Sequence, residues 1–314
     1  MIRYILLRLA FLIPVLFLAS ILIFSMIHLT PGDPATLILG ADALPEQIAE
    51  LRQQMGLDQS LPGQYLIWLG RAIKGDLGTS YSSGMPVMRL LLQKLPPTVQ
   101  LSLGALVLSV LIAVPFGIIS AFRPGSVAAR FILYFTSLAM AMPTFWLGIL
   151  LVLFVGLQLR WLPTSGYMFF AEDPAQALRL LILPAITLSA YVSAVLTRFL
   201  NTALISALEQ DYIRTARAKG LSEWLVVLRH AVRNALLPFI TALGLQFGTF
   251  MGGAVITEAI FDYPGIGRLV FQAVLTRDYL VVQGALLFVV TGFVIVNLIT
   301  DLAYAALDPR IRYD

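Results

Sequence analysis

The sequence predicts an all-α integral membrane protein with six transmembrane helices, and two observations carry this prediction. Of the 314 residues, 59% are hydrophobic and only 12% are charged, with a mean hydropathy of +0.88. The apolar residues also gather into long runs, and a helix needs about 20 such residues to cross a bilayer. A water-soluble domain does not contain several runs of this kind, so the composition indicates a membrane protein.

Six apolar runs along the chain are the predicted membrane spans. The first run follows Arg3 and Arg8, as in a signal peptide. Its length and the lack of a clear small-residue cleavage site favour an uncleaved span. An even number of spans places both termini on the same side of the membrane. The six runs cover residues 9–29, 99–122, 131–157, 178–200, 236–260 and 281–307.

The distribution of basic residues predicts which side holds the termini. Cytoplasmic loops carry an excess of Lys and Arg, and the bias is judged on short loops. Most basic residues outside the long segment 30–98 fall on the side of the termini, so both termini are predicted to be cytoplasmic. The short loops on the opposite side hold only Arg160, Arg179, Arg268 and Arg277 of the 21 Lys and Arg.

The long segment after the first span, residues 30–98, is predicted to be external and partly helical. Residues 45–55 form one predicted helix ending at Gly56, and residues 62–74 form another before the turn GDLG. The predicted organisation is an N-terminal helix plus external segment (1–94), a five-helix core (95–307) with a coupling loop at 201–235, and a cytoplasmic tail (308–314).

Prolines and glycines within the spans predict bends and close helix contacts. Proline removes a backbone N–H and bends a helix, and glycines spaced by four allow another helix to approach. The prolines in or at the ends of spans are Pro115, Pro143, Pro184 and Pro238, and the spaced glycines are Gly244, Gly248 and Gly252.

The most informative stretch is the coupling segment, residues 209–238, with the sequence EQDYIRTARAKGLSEWLVVLRHAVRNALLP. It predicts two short amphipathic helices. Asp211 can cap the first helix, whose apolar face comprises Leu208, Tyr212 and Ala216. Gly220, which follows basic residues, is typical of a helix end. Ser222 can cap the second, with Glu223 in its first turn. The predicted apolar face of the second helix comprises Trp224, Val227, Leu228 and Ala231.

On charge alone, the coupling segment could be a solvated cytoplasmic loop that follows the positive-inside rule. However, DYIRTARAKGL followed by HAVRNALLP resembles the cytoplasmic coupling loop of ABC-importer permeases of the dipeptide, oligopeptide and nickel branch. Arg214 stands where many permeases carry a glutamate, and His230 and Arg233 stand where they carry isoleucine and proline. In that family the loop docks into a cleft on an ATPase subunit. The implied coupling residues are Asp211, Tyr212, Ile213, Arg214, Thr215, Ala216, Arg217, Ala218, Lys219, Gly220 and Leu221.

The resemblance extends over the whole chain. LTPGDPA, LPEQIAELRQQMGLDQSLPGQY and KGDLGTSY match the segment that follows the first span in this branch, and LDPRIRY matches its C-terminus. The implied fold is that of a type I ABC importer permease with six transmembrane helices.

The outer loop, residues 258–279, begins EAIFDYPGIG and is a second candidate site. Its proline and glycines predict a tight turn, and its aromatic residues could simply form a belt at the membrane interface. Glu258 could likewise reach out to water from the span end. FDYPGIG also resembles the branch's outward loop near the external mouth of the pathway. The implied gate residues are Glu258, Phe261, Tyr263, Pro264, Gly265 and Gly267.

No catalytic, cofactor or metal site is predicted in this chain. The three lysines, Lys74, Lys94 and Lys219, are not part of a GxxxxGK[ST] motif, so ATP binding through a P-loop is excluded. HExxH is absent, there are no cysteines, and His28 and His230 are predicted on opposite faces of the membrane. The scattered basic residues form no nucleic-acid patch.

The resemblance implies a translocation subunit of an ATP-driven importer in the cell (inner) membrane, for di- or oligopeptides, or alternatively for nickel or glutathione. The implied partners are a second homologous permease, two ATPase subunits that bind ATP and Mg²⁺, and an extracytoplasmic solute-binding protein. An ion-coupled secondary transporter would need intramembrane charges and an internal repeat, which are scarce here. An intramembrane enzyme has only Ser165 as a faint indication.

Overall fold

The computed structural model describes residues 2–29, 33–40 and 43–307, and this part of the chain is built from helices without a named strand. The predicted tail 308–314 lies outside the described residues. The helices are α1 (Ile2–Leu29), α2 (Pro34–Leu39), α3 (Pro45–Met55), α4 (Leu61–Ile73), α5 (Val87–Phe122), α6 (Val127–Ala141), α7 (Thr144–Leu151), α8 (Pro174–Leu208), α9 (Asp211–Ala218), α10 (Glu223–Leu225), α11 (Val232–Ile260), α12 (Ile266–Leu275) and α13 (Tyr279–Leu307). Two π-helical stretches, Val152–Gln158 and Val226–Ala231, extend α7 and join α10 to α11.

Four helices are long and apolar enough to cross a membrane alone, and they correspond to the first, second, fourth and sixth predicted spans. These are α1, α5, α8 and α13. The other two spans are bent pairs: Val127–Ala141 with Thr144–Gln158 at 102°, and Glu223–Leu236 with Pro238–Gln246 at 52°. The described residues thus hold four spans, or up to six if each bent pair counts as one. The second pair begins at Glu223, within the coupling segment, and not at residue 236 as predicted for the fifth span.

The third predicted span, residues 131–157, is therefore not one straight helix. The break falls at Met142, whose φ of −83° and ψ of 123° are extended, immediately before Pro143. Proline disfavours a helical conformation in the residue before it and lacks the N–H that would continue the ladder. Pro143 thus ends one half of the span, and Thr144 begins the other.

Contacts divide the chain into two compact units. The first unit comprises Met1–Pro96 and Gly265–Ile295, and the second comprises Pro97–Pro264 and Val296–Asp314. Helix α12 and the first part of α13 therefore group with the N-terminal residues. The predicted domain limits at residues 94 and 95 remain a prediction.

In the first unit, α4 packs against α1 through aromatic side chains. The Tyr65 hydroxyl lies 2.8 Å from the Ser20 hydroxyl, and the Phe24 ring contacts both Tyr65 and Trp68. A second link joins the start of α13 to the turn before α5. There the buried carboxylate of Asp278 accepts hydrogen bonds from the Ser80 hydroxyl at 2.6 Å and from the Ser82 hydroxyl at 3.0 Å.

In the second unit, α8 is the central helix. In its most apolar window, 78% of the residues are buried, compared with 39% for α5. Glycines let neighbouring helices approach closely: a Cβ on Gly117 of α5 would lie 2.9 Å from Leu200 of α8. The predicted glycine contact on α11 is present at Gly244, where a Cβ would lie 1.8 Å from Thr300 Cγ2.

Candidate functional site

The coupling segment follows directly from α8, the central helix of the second unit. Helix α8 ends at Leu208 and α9 begins at Asp211, with Gln210 in the extended conformation between them. Gln210 is thus the N-cap, and the prediction that Asp211 caps the helix is wrong. Asp211 lies in the first turn instead, where a carboxylate still complements the positive end of the helix dipole.

The turn after α9 is formed as predicted. Gly220 has a φ of +78°, and no other group lies within 4 Å of the position of a Cβ there. The conformation alone therefore favours glycine. Arg217 and Glu223 close the turn through a bidentate ion pair, with Arg217 Nε 3.1 Å from Glu223 Oε2. Both side chains are nearly half exposed, so the pair contributes at most about 1 kcal/mol.

Helix α9 has one buried face and one exposed face. Ile213 and Ala216 belong to the buried core of the second unit, together with Val226 and Val227 of the π-helical stretch. Leu221 is half-buried against the same core. Tyr212 was a predicted apolar contact, but 39% of its surface is exposed, since Ile213 occupies the inward position. The exposed coupling residues are Asp211, Tyr212, Arg214, Thr215, Arg217, Ala218, Lys219 and Gly220.

The second predicted helix of the coupling segment is not a separate short helix. Helix α10 continues through the π-helical stretch Val226–Ala231 into α11. A π-helical turn holds more residues than an α-turn, so the inward face keeps Val227 and Ala231 of the predicted one but not Trp224 and Leu228. Val226, Val227 and Ala231 are buried, whereas Trp224 and Leu228 are exposed. The Trp224 ring packs edge-on against Phe122 at the end of α5, with centroids 5.6 Å apart.

The outer loop places Glu258 in the core of the second unit. Its exposed fraction is 0%, and its Oε1 accepts a hydrogen bond of 2.7 Å from the Thr98 hydroxyl. The alternative that Glu258 reaches out to water is therefore wrong. Phe261 and Tyr263 are also buried, at 1% and 0% exposure, so they do not form an aromatic belt facing lipid.

A set of polar and aromatic side chains surrounds Tyr263, and we name it the outer polar cluster: Thr98, Gln100, Tyr167, Glu258 and Tyr263. The Tyr167 ring packs edge-on against Tyr263 at 5.1 Å, and its hydroxyl donates to Gln100 Oε1 at 3.3 Å. Burial, followed by the neighbouring Tyr167 and Glu258, raises the pKa of Tyr263. Burial, with a smaller effect of Glu172, also raises the pKa of Tyr167. Both phenols thus stay protonated near neutral pH.

The predicted tight turn of the outer loop lies earlier than its glycines. Asp262, with a φ of +51°, is the residue in the left-handed region, and the Tyr263 N–H donates to the Glu258 carbonyl at 2.8 Å. Gly265 is extended, and Gly267 lies within α12. Glu258, Phe261, Tyr263 and Pro264 belong to the second unit, whereas Gly265 and Gly267 belong to the first.

Thr98, Gln100 and Tyr167 are not among the predicted site residues. Thr98 and Gln100 carry a weak signal, because they are polar residues at the start of an otherwise apolar run. Tyr167 lies in the connection before α8 and carries no distinguishing pattern. Within the described residues, no group of three or more His, Asp or Glu side chains is placed to hold a metal ion.

The comparisons with known proteins agree on one family. Residues 113–313 match the family described as binding-protein-dependent transport system inner membrane component, and residues 1–102 match its N-terminal region. The probable peptide ABC transporter permease protein y4tP of Sinorhizobium fredii is 40% identical to this chain, and the match covers 99% of each of the two chains. The glutathione transport system permease protein GsiC of Escherichia coli (strain K12) is 41% identical over the full length of both chains.

A solved structure shares the fold. The inward-facing MetNI methionine ABC transporter superimposes with a TM-score of 0.57 over 70% of this chain and 97% of the other, at 17% sequence identity. The shared part is the helical permease fold that the sequence predicts. Taken with the family matches over nearly the entire length, this shows that the chain belongs to the binding-protein-dependent transport system inner membrane components, the permeases of ABC transporters.

Proposed function

We propose that this chain is the translocation subunit of an ATP-driven importer for di- or oligopeptides. Its membership in a binding-protein-dependent permease family supports this role, and a relative 40% identical over almost the whole length is named as a peptide permease. In this proposal both termini are cytoplasmic, and the chain itself carries no catalytic residue. Two ATPase subunits bind ATP and Mg²⁺, a second homologous permease completes the pathway, and an extracytoplasmic protein delivers the solute.

The two-faced structure of α9 is the observation that carries the proposal. Ile213 and Ala216 fix one face of the helix to the core of the second unit. The opposite face presents side chains to solvent, including Tyr212, Arg214 and Lys219. A partner that binds this exposed face can therefore move the buried face and, through it, α8. A helix that only satisfied the positive-inside rule would not need this buried anchor.

A partner is needed for energetic reasons. A ligand shifts a conformational equilibrium only if it binds one state more tightly than the other. We assign this role on the cytoplasmic side to the ATP-closed ATPase dimer acting on residues 211–221. We assign the complementary role on the outer side to the binding protein, acting on the external segment (30–98) and the outer loop (258–279).

The substrate class can be tested with the assembled transporter in liposomes. We expect ATP-dependent accumulation of a labelled di- or oligopeptide when the cognate binding protein is present. Glutathione is the second candidate, because permeases 41% identical to this chain are named as glutathione permeases. Uptake of glutathione in preference to peptides would assign that solute instead. Nickel uptake with no peptide or glutathione uptake would refute the peptide-like substrate class.

A further inference from the structure

A cavity of about 310 Å³ opens on the second unit where the end of α5 and the loop after it meet α6 and α8. Its walls differ in chemistry. Ile132, Leu133 and Ile205 form an apolar side, whereas Arg130, Arg198 and Asn201 supply hydrogen-bond donors. No aspartate or glutamate lines the cavity. An anionic ligand with an apolar portion matches these walls best.

Arg198 is the central residue of the polar wall. It lies ten residues before the end of α8, which corresponds to about 15 Å along the helix. Its Nη2 donates to the Ser137 hydroxyl at 2.6 Å, and its Nε is 3.5 Å from the Thr136 hydroxyl. These hydroxyls orient the guanidinium but leave its charge uncompensated.

Arg130 of α6 is a second basic residue that lines the same cavity. Among the described residues, neither Arg130 nor Arg198 forms an ion pair with a carboxylate. Asn201 is held in place by its own hydrogen bond, from Nδ2 to the Ser120 hydroxyl at 2.8 Å. Two arginines that form no ion pair within the described part of the chain thus line one cavity, beside an asparagine held by its own hydrogen bond.

The apolar wall indicates where such an anion comes from. Leu133 is 54% exposed beside the cavity, and α6 is one half of a bent membrane span. This surface therefore faces acyl chains, while the arginines lie near the end of the span. Basic pockets between transmembrane helices at this depth suit the headgroups of anionic phospholipids.

We infer that this cavity is a binding site for an anionic phospholipid. Arg130 and Arg198 bind the headgroup phosphate, and an acyl chain lies along Leu133. The inference depends on the membrane placement of α6 and α8 and is independent of which solute the transporter carries. A free phosphate ion would use the arginines alone, so the two sources of phosphate can be separated experimentally.

The test uses the complete transporter, purified in detergent, stripped of lipid and titrated with phosphatidylglycerol, phosphatidylcholine or inorganic phosphate. Native mass spectrometry measures retained lipid, and the melting temperature measures stabilisation. We expect phosphatidylglycerol to be retained and to stabilise the wild type. The double variant Arg130→Gln/Arg198→Gln should bind it on the order of 10-fold or more weakly. Arg123→Gln is the matched control. It removes a charge from the same loop region, but Arg123 does not line the cavity.

A second variant covers the case in which the double variant does not assemble. Ala129→Trp fills the cavity from a half-exposed position and keeps both arginines, and it should also lose the lipid. Retention of phosphatidylglycerol by Ala129→Trp at the wild-type level would overturn the assignment. So would equal retention of phosphatidylcholine, equal loss in Arg123→Gln, or full stabilisation by inorganic phosphate alone.

Discussion

Replacing Ile213 with alanine is expected to uncouple ATP hydrolysis from solute uptake while the membrane spans still insert. Ile213 is fully buried in the core of the second unit and fixes α9 to the π-helical stretch that leads into α11. Truncating a buried isoleucine costs about 2–4 kcal/mol through lost burial and the cavity left behind. Since about 1.4 kcal/mol is a factor of ten in an equilibrium constant, the anchored state of α9 should become at least 10-fold less favoured.

The uptake of labelled peptide per ATP hydrolysed, measured in liposomes with the complete transporter, checks this result. Tyr212→Ala is the matched variant, because it changes the neighbouring residue on the exposed face. It should leave the melting temperature of the isolated permease unchanged and reduce the retention of ATPase subunits. Wild-type coupling in Ile213→Ala would show that the buried face of α9 does not transmit movement.

Replacing Glu258 with alanine should destabilise the second unit and lower uptake. The carboxylate is fully buried and accepts a hydrogen bond from Thr98, a residue 160 positions earlier in the chain. Its removal takes an acceptor from the buried Thr98 hydroxyl and leaves a cavity beside Tyr263. We expect a loss of about 2–4 kcal/mol in the free energy of unfolding. The melting temperature in detergent and peptide uptake in liposomes measure the two effects.

Glu258→Gln separates shape from charge at the same position. Its amide oxygen can still accept from Thr98 and fills nearly the same volume, so this variant should keep most of the stability and uptake. A Glu258→Ala protein with the melting temperature of the wild type would contradict a stabilising role of the buried Glu258–Thr98 hydrogen bond. So would a Glu258→Gln protein as unstable as Glu258→Ala.

Much of the fold could be predicted because its signals are local. The spans follow from apolar runs, and the positive φ at Gly220 follows from a glycine placed after basic residues at a helix end. The break of the third span is harder to predict from the sequence. Pro143 predicts a bend, but a bend of 102° depends on how the two halves pack against α8 and α11.

The site could be predicted only in part, because its contacts are distant in sequence. The coupling residues form a continuous motif. The buried face of the second helix is predicted correctly at Val227 and Ala231 but wrongly at Trp224 and Leu228, because a π-helical stretch leaves no clear pattern in sequence. The sequence indicates Glu258 only as an acidic residue near the end of a span. Its partner Thr98, and the burial of Tyr263 against Tyr167, follow from the packing of elements that the sequence does not place side by side.

The dependence on ATP is the central claim, and one measurement tests it directly. Liposomes holding this chain alone should accumulate no labelled peptide under an imposed proton or sodium gradient. Liposomes that hold this chain together with the second permease and both ATPase subunits should accumulate peptide when ATP, Mg²⁺ and the binding protein are supplied. Accumulation driven by the gradient in liposomes that hold only this chain would contradict the proposal and identify a secondary transporter.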